Sequence, residues 1–250
     1  MYITSTNSTN TLLKQLIAVG NPPDYIYTGY QTAGRGQTGN SWESEEGKNL
    51  LCSILLPARK NLFELNVITA VAVQRMVTSF VFERSGLSIL SEAVSIKWPN
   101  DIYWQDKKVA GILIENAIVG NTIQYAIAGI GLNVNQTRWL SNAPNPVSLK
   151  QISGKEYSID ELMQGLMAEL SKVATEDVWD EYKAHLYRRE GFWPFVEREV
   201  NAAPTMNAGR ETEGIFLACI KDVLPTGEIV LQDEQGKERI YHFKQIRYVI

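Results

Sequence analysis

Apolar and polar positions alternate along this chain with two periods, and the switches between them lay out its elements. Residues 25–30 and 50–56 read as strands. Residues 11–19 carry Leu12, Leu13, Leu16 and Ile17 at helical spacing and end at Gly20-Asn21-Pro22-Pro23, which predicts a short helix. A longer helix is predicted over 62–83, where Leu65, Ile68, Val71, Ala72 and Met76 recur and make it apolar enough to lie across a sheet. Residues 94–104 and 109–115 flank the charged turn Gln105-Asp106-Lys107-Lys108 and predict a hairpin, followed by a strand over 122–133. Ser158-Ile159-Asp160-Glu161 is a capping box opening a helix with Leu162, Leu166 and Leu170, and a charged helical stretch over 177–190 is expected on the surface. Gly191-Phe192-Trp193-Pro194-Phe195 is expected to pack as an aromatic patch at a domain junction. Short strands then predominate, over 214–223, 228–232, 238–243 and 246–250, the pattern of a small barrel. The division expected is a larger domain over 1–205 and a small one over 206–250.

Three places break these patterns. The connection between the first two strand-like runs is about twenty residues long, far beyond a hairpin turn. It contains Gly34-Arg35-Gly36, Gly39 and Trp42, where glycines let backbone N–H groups approach a ligand and the arginine offers planar charged donors to phosphate or carboxylate. A flexible surface loop is the plain alternative. Pro99-Asn100-Asp101 interrupts the predicted hairpin, flanked by Lys97 and Lys108, and a proline there marks an edge, a bulge or a break. In the strand over 122–133, Gly129, Gly131 and Asn133 fall on one face, which is left nearly bare. Either a planar group or a closely packed helix would suit that face. Ser8-Thr9-Asn10, just before the first helix, reads as N-capping residues that could also bind a polar small molecule.

Composition narrows the picture. At 250 residues, 44% apolar and 21% charged, the chain can bury one sizeable core plus an appendage. Its net charge of −4 and lack of a basic run make nucleic acid and anionic membrane unexpected partners. No signal-peptide pattern or membrane-length apolar run is present, so a cytoplasmic location is expected. Cys52 and Cys219 lie in apolar surroundings, and with His185 and His242 as the only histidines no protein metal site is expected.

Taken together, the ordered motifs Ser8-Thr9-Asn10, Gln31, Gly34-Arg35-Gly36 with Gly39 and Trp42, Lys97-Trp98-Pro99-Asn100-Asp101, Lys108-Val109-Ala110-Gly111-Ile112 and Gly129-Ile130-Gly131-Leu132-Asn133-Val134 resemble the biotin protein ligase family over essentially the whole chain. The resemblance implies an α+β fold: a mixed sheet with helices on one face, akin to class II aminoacyl-tRNA synthetases, and a C-terminal SH3-like barrel. It implies ATP-dependent activation of biotin as biotinyl-5'-AMP and its transfer to a lysine of a carboxylase carrier domain, with Mg²⁺ bridging phosphates. By this similarity Ser8, Thr9, Asn10 and Gln31 would hold the ureido ring and Gly111 would permit close approach. Gly34, Arg35, Gly36 and Gln37 would surround the activated carboxyl with Lys108. Trp42, Lys97, Asn100, Asp101 and Asn133 would belong to the adenylate side, joined there by Arg35 and Lys108, the two cations expected to offset charge during catalysis. The chain departs from the family in its loop, where Gln37, Thr38 and Asn40 stand in place of further arginines. With Ser8 so near the start, no helix-turn-helix domain is expected. A homodimer is implied by resemblance alone. A lipoate or octanoate ligase or transferase of the same fold and a non-catalytic biotin-binding protein are the rival readings.

Overall fold

A seven-stranded sheet carries the molecule, seen in a computed structural model that describes residues 1–37, 40–59, 61–85, 93–119, 122–141, 145–198 and 214–250. Its order is β1(Tyr2–Thr6), β2(Tyr25–Gln31), β3(Leu50–Pro57), β7(Thr122–Leu132), β6(Lys107–Val119), β5(Asp101–Trp104), β4(Val94–Lys97). β1 and β2 run parallel and the remaining neighbours antiparallel, so the sheet is mixed. β1 escaped the sequence reading because its alternation, Tyr2-Ile3-Thr4-Ser5-Thr6, has almost no apolar side; it is an exposed edge strand.

Side-chain alternation on β3 and β7 splits the packing into two faces. Leu50, Cys52, Ile54, Ala126, Ala128 and Ile130 face the main core, built on α2(Leu62–Ser85), a helix whose buried residues include Leu65, Ile68, Val71, Ala72 and Met76. α3(Leu149–Ser153) and α4(Ile159–Val173) pack on α2, and Gly165 of α4 makes the close approach possible: a Cβ there would meet Phe80 at 2.6 Å. α5(Trp179–Ala184) is clamped to α2 by Arg75, whose Nε donates to Glu181 at 2.7 Å and whose Nη2 also pairs with Glu176 at 2.8 Å. The opposite face takes α1(Thr9–Ala18), which buries Leu13 against Ile26, Leu55 and Ile127. Helices therefore cover both faces, correcting the expectation of one.

The expected hairpin over 94–115 is a three-stranded meander. A turn at Trp98-Pro99-Asn100, with a cis Trp98–Pro99 bond, separates β4 from β5, so the proline marks a reversal and not an interruption within one strand.

The second sheet has the order β11(Glu238–Tyr241), β10(Ile229–Asp233), β9(Ile215–Val223), β8(Trp193–Glu197), β12(Ile246–Tyr248), all antiparallel. β8 is the stretch expected as an aromatic patch; Phe195 is fully buried in it. The expected domain boundary at 205/206 lies outside the described residues, as do Thr38, Gly39 and most of the loop expected over 142–146. Trp98 Nε1 donates to Gly227 O at 3.0 Å and Asn61 Nδ2 to Pro225 O at 2.7 Å, joining the β9–β10 turn to the larger body.

Candidate active site

On the α1 face, the chain brings together residues from the start of α1, the end of β2, the 34–42 loop, β5, β6 and β7. Ser8 is the N-cap of α1 by backbone geometry, but its side chain caps nothing. Gln31 performs that office from the end of β2, accepting the Thr9 backbone N–H at 2.8 Å and the Thr9 hydroxyl at 3.0 Å. Ser53 Oγ lies 2.7 Å from Thr9 Oγ1 and 2.5 Å from Asn10 Oδ1, sharing its single proton between them. Asn10 Nδ2 donates to Glu115 Oε2 at 2.7 Å. Side-chain capping of α1 thus comes from Gln31, and Ser8-Thr9-Asn10 lie in a buried polar cluster.

The Gly-Arg loop folds back on itself. Trp42 N donates to Gly34 O at 3.0 Å, Gly36 N to Asn40 O at 2.9 Å, and Arg35 bridges Ser41 in antiparallel fashion. Gly34 has no room for a side chain, since a Cβ would stand 2.5 Å from Trp42 O. Beyond Trp42 the loop is tied down by Glu43, whose carboxylate accepts the Leu140 and Ser141 N–H groups at 2.7 Å each. Burial alone would raise the Glu43 pKa, but these bonds and those from Ser141 and Gln136 side chains hold it below the ordinary glutamate value.

The bare glycine face is occupied by the Trp42 indole. A Cβ on Gly131 would fall 2.4 Å from Trp42 Cε2, and one on Gly111 2.9 Å from its Cζ3. The planar group foreseen for that face therefore comes from the chain itself. The indole Nε1 is buried without a partner, as is Asn133 Oδ1, while Asn133 Nδ2 donates to Lys108 O at 3.2 Å. Two unspent polar atoms beside the glycine face suit a ligand carrying its own donors and acceptors.

Both cations reach the same cleft and each is paired. Arg35 Nη2 meets Glu115 Oε2 at 2.8 Å; Lys108 Nζ meets Asp101 Oδ1 at 2.7 Å and stands 5.6 Å from the Trp42 ring centroid. Asn100, on the turn before β5, exchanges bonds with Ile112, donating through Nδ2 to its carbonyl and accepting its N–H at 3.0 Å through its own backbone oxygen. Cys52 also lines the cleft, but burial pushes its thiol up to about 12, which leaves no thiolate nucleophile near neutral pH.

Of the residues singled out from sequence, Ser8, Thr9, Asn10, Gln31, Arg35, Gly36, Gln37, Trp42, Asn100, Asp101, Lys108 and Gly111 line this cleft. Gly34 and Asn133 stand just behind it, and Lys97 is directed elsewhere, its Nζ 5.3 Å and 4.9 Å from the ring centroids of Tyr103 and Tyr248. Ser53 and Glu115 were missed. Ser53 is the one hydroxyl in an apolar strand, and Glu115 shares the face of Gly111 at period two; those were the available signals. The free space is about 150 Å³, half the lower end of the range for small-molecule pockets, so an organic ligand of ordinary size requires Trp42 or its loop to shift.

Against known proteins, the profile of the biotin/lipoate A/B protein ligase family matches residues 2–133. The bifunctional ligase/repressor BirA of Bacillus spizizenii is 28% identical over 239 residues, covering 90% of this chain and 67% of that protein. The biotin–acetyl-CoA-carboxylase ligase of Paracoccus denitrificans is 31% identical over 132 residues, 52% of each chain. The chain thus spans about two thirds of the first relative and half of the second. Among solved structures, a biotin protein ligase from Aquifex aeolicus in complex with biotin and ATP superposes with a TM-score of 0.74 at 22% identity, covering 100% of this chain and 98% of that one.

Proposed function

Because the chain belongs to the biotin/lipoate A/B protein ligase family, we propose that it is an ATP-dependent biotin protein ligase whose cleft activates biotin and passes it to a lysine of a carrier protein. The observation that carries this reading is one cleft holding a polar ring-sized network and two cations. Ser8, Thr9, Asn10 and Gln31 supply donors and acceptors that match a cyclic urea, and Arg35 and Lys108 stand where an acid and a phosphate would meet. A lipoyl dithiolane would leave such a network unpaired, which favours biotin over lipoate or octanoate.

In the first step a carboxylate oxygen attacks the α-phosphorus of ATP, a P–O bond forms, and pyrophosphate leaves with the electron pair of the broken bond. Two anions must approach, and Arg35 and Lys108 are the catalytic residues assigned to offset their repulsion and the charge on the transferring phosphoryl group. Glu115 and Asp101 pair with these cations and hold them in position for substrate oxygens to share. Gly34, Gly36, Gln37 and Gly111 border the activated carboxyl. Trp42, Asn100, Asp101 and Asn133 form the adenylate side, the indole leaving the glycine face to pack on the base. Lys97 joins that side only through the turn it precedes. Mg²⁺ would be held by phosphate oxygens, since this ion keeps few protein ligands and relies on substrate oxygens. In the second step the neutral amine of the acceptor lysine attacks the acyl carbon, an amide forms, and AMP leaves. The 34–42 loop shields the mixed anhydride from water.

The acceptor assigned is the carrier domain of a biotin-dependent carboxylase, and a homodimer is the assembly proposed. Among the described residues no helix is long and apolar enough to cross a membrane. The cytoplasm, where ATP and the carboxylase carrier meet, is the proposed location. Residues 1–205 would contain the small-molecule site together with β8 of the small sheet, and 206–250 the rest of the accessory barrel.

ATP–pyrophosphate exchange tests the reading. Exchange should depend on biotin, not lipoate, and fall at least a hundredfold in Lys108→Ala, the order of loss seen when a charge-stabilising donor is removed. Folded protein that binds biotin without exchange would instead support a non-catalytic biotin-binding role.

A further inference from the structure

We propose that Glu115, which does not line the cleft, is a positioning residue for acid recognition. It ties the group that meets the ring to the group that meets the carboxylate; this deepens, and rests on, the biotin ligase reading. One oxygen, Oε2, accepts both Asn10 Nδ2 at 2.7 Å and Arg35 Nη2 at 2.8 Å. The first partner lies on α1, where Asn10 is only 4% exposed; the second lies outside the named strands, held by an isolated bridge to Ser41. Asn10 is fixed from its other side by Ser53, so its carboxamide cannot turn, and through Glu115 that fixed amide holds the guanidinium at a set distance. Glu115 itself rides on β6, paired in register with Ile127 of β7, which makes it the rigid member of the trio.

The sequence of the loop gives this tie its weight. Between Gly34 and Trp42 the only basic residue is Arg35, since Gln37, Thr38 and Asn40 carry no charge. No second cation in that loop replaces Arg35 if it wanders. Arg35 gives Glu115 one of the five N–H donors its guanidinium carries, so an arriving substrate anion can share the guanidinium fork without evicting Glu115. Glu115 thus sets the spacing that an acid must have between its polar ring and its carboxylate, and acts on the reaction through Asn10 and Arg35.

The test is a double-mutant cycle read by calorimetric titration of biotin, with thermal melts of each protein. Glu115→Gln keeps the shape and one acceptor but removes the charge, so its effect should run through Arg35; Glu115→Ala removes both ties. In the unsubstituted background the glutamine variant should weaken biotin binding about threefold and the alanine variant about tenfold or more, the size expected for losing charge-assisted hydrogen bonds. ATP binding should stay within twofold in both. In an Arg35→Ala background the glutamine substitution should add nothing. Equal cost in both backgrounds, or parallel loss of biotin and ATP binding with a lowered melting temperature, would overturn the positioning role while leaving the ligase reading intact. Absence of biotin binding in the unsubstituted chain would overturn the ligase reading itself, and this proposal with it.

Discussion

Replacing Gly129 by alanine sets two effects of known size against each other. A Cβ at this position would lie 2.3 Å from Asn10 Oδ1 and 2.9 Å from both its Cγ and Nδ2, distances that real contacts do not sustain. Asn10 is buried and anchored on α1, so the carboxamide must swing away and give up its bonds to Ser53 and Glu115. The first is worth about 0.5–1.5 kcal/mol and the second, to a carboxylate, about 1.5–3 kcal/mol. Against this, alanine restricts the unfolded chain and returns about 0.4–1 kcal/mol. The expected net loss is about 1–4 kcal/mol, or a melting temperature lower by about 2–16 °C in a chain of this length. Differential scanning calorimetry measures that, and biotin titration of the same protein should show binding weakened at least tenfold. A variant that melts within a degree of the parent and still binds biotin within twofold would refute the argument, because Asn10 would then be neither fixed by Gly129 nor needed by the ligand.

Gly131→Ala should behave differently, since Trp42 is a loop residue able to leave but the added Cβ would still project from the glycine face assigned to the adenylate: we expect ATP binding to fall at least tenfold in calorimetric titration while biotin binding changes less than threefold. Lys97 should impose a pH dependence on stability. Burial lowers its pKa below 10.5, Asp101 acting against the shift and Lys108, Arg188 and Arg198 with it, while the faces of Tyr103 and Tyr248 favour the charged form. Above the folded pKa and below 10.5 the unfolded chain holds the extra proton, so wild-type stability should rise with pH across that window relative to Lys97→Met. Denaturant titrations up to about pH 9, below the ordinary tyrosine range, check this; a difference between the two proteins that is flat with pH would refute it.

Much of the fold was legible because burial imposes period. β3, β7, α2 and α4 announce themselves through apolar positions packed in one core, and the cleft residues were legible through ordered motifs that break those periods. What escaped is what pairing decides. β1 has no buried side and exists because its backbone pairs with β2. β8 carries Trp193-Pro194-Phe195, residues that read as a junction patch until β9 and β12 flank them. The resting place of Trp42 escaped for a similar reason: glycine spacing tells that something flat comes close to β7, but not that the chain supplies it. Glu115 went unnoticed because its partners lie 105 and 80 residues away in sequence.

The turn between β9 and β10 ties the small sheet to the rest of the molecule as a tenon fits a mortise. Gly227, with φ 103°, offers no Cβ, and one would stand 2.8 Å from Phe63 Cδ2; its carbonyl accepts the indole N–H of Trp98. Phe63 in turn rests edge-on against Trp179 and Tyr182, and Phe195 of the small sheet belongs to the same continuous core as α2. The two sheets thus share one core, and removing the smaller part would uncover apolar surface of the larger. For this chain the C-terminal sheet is part of the wall on which the larger sheet leans, through Phe63 and Trp98.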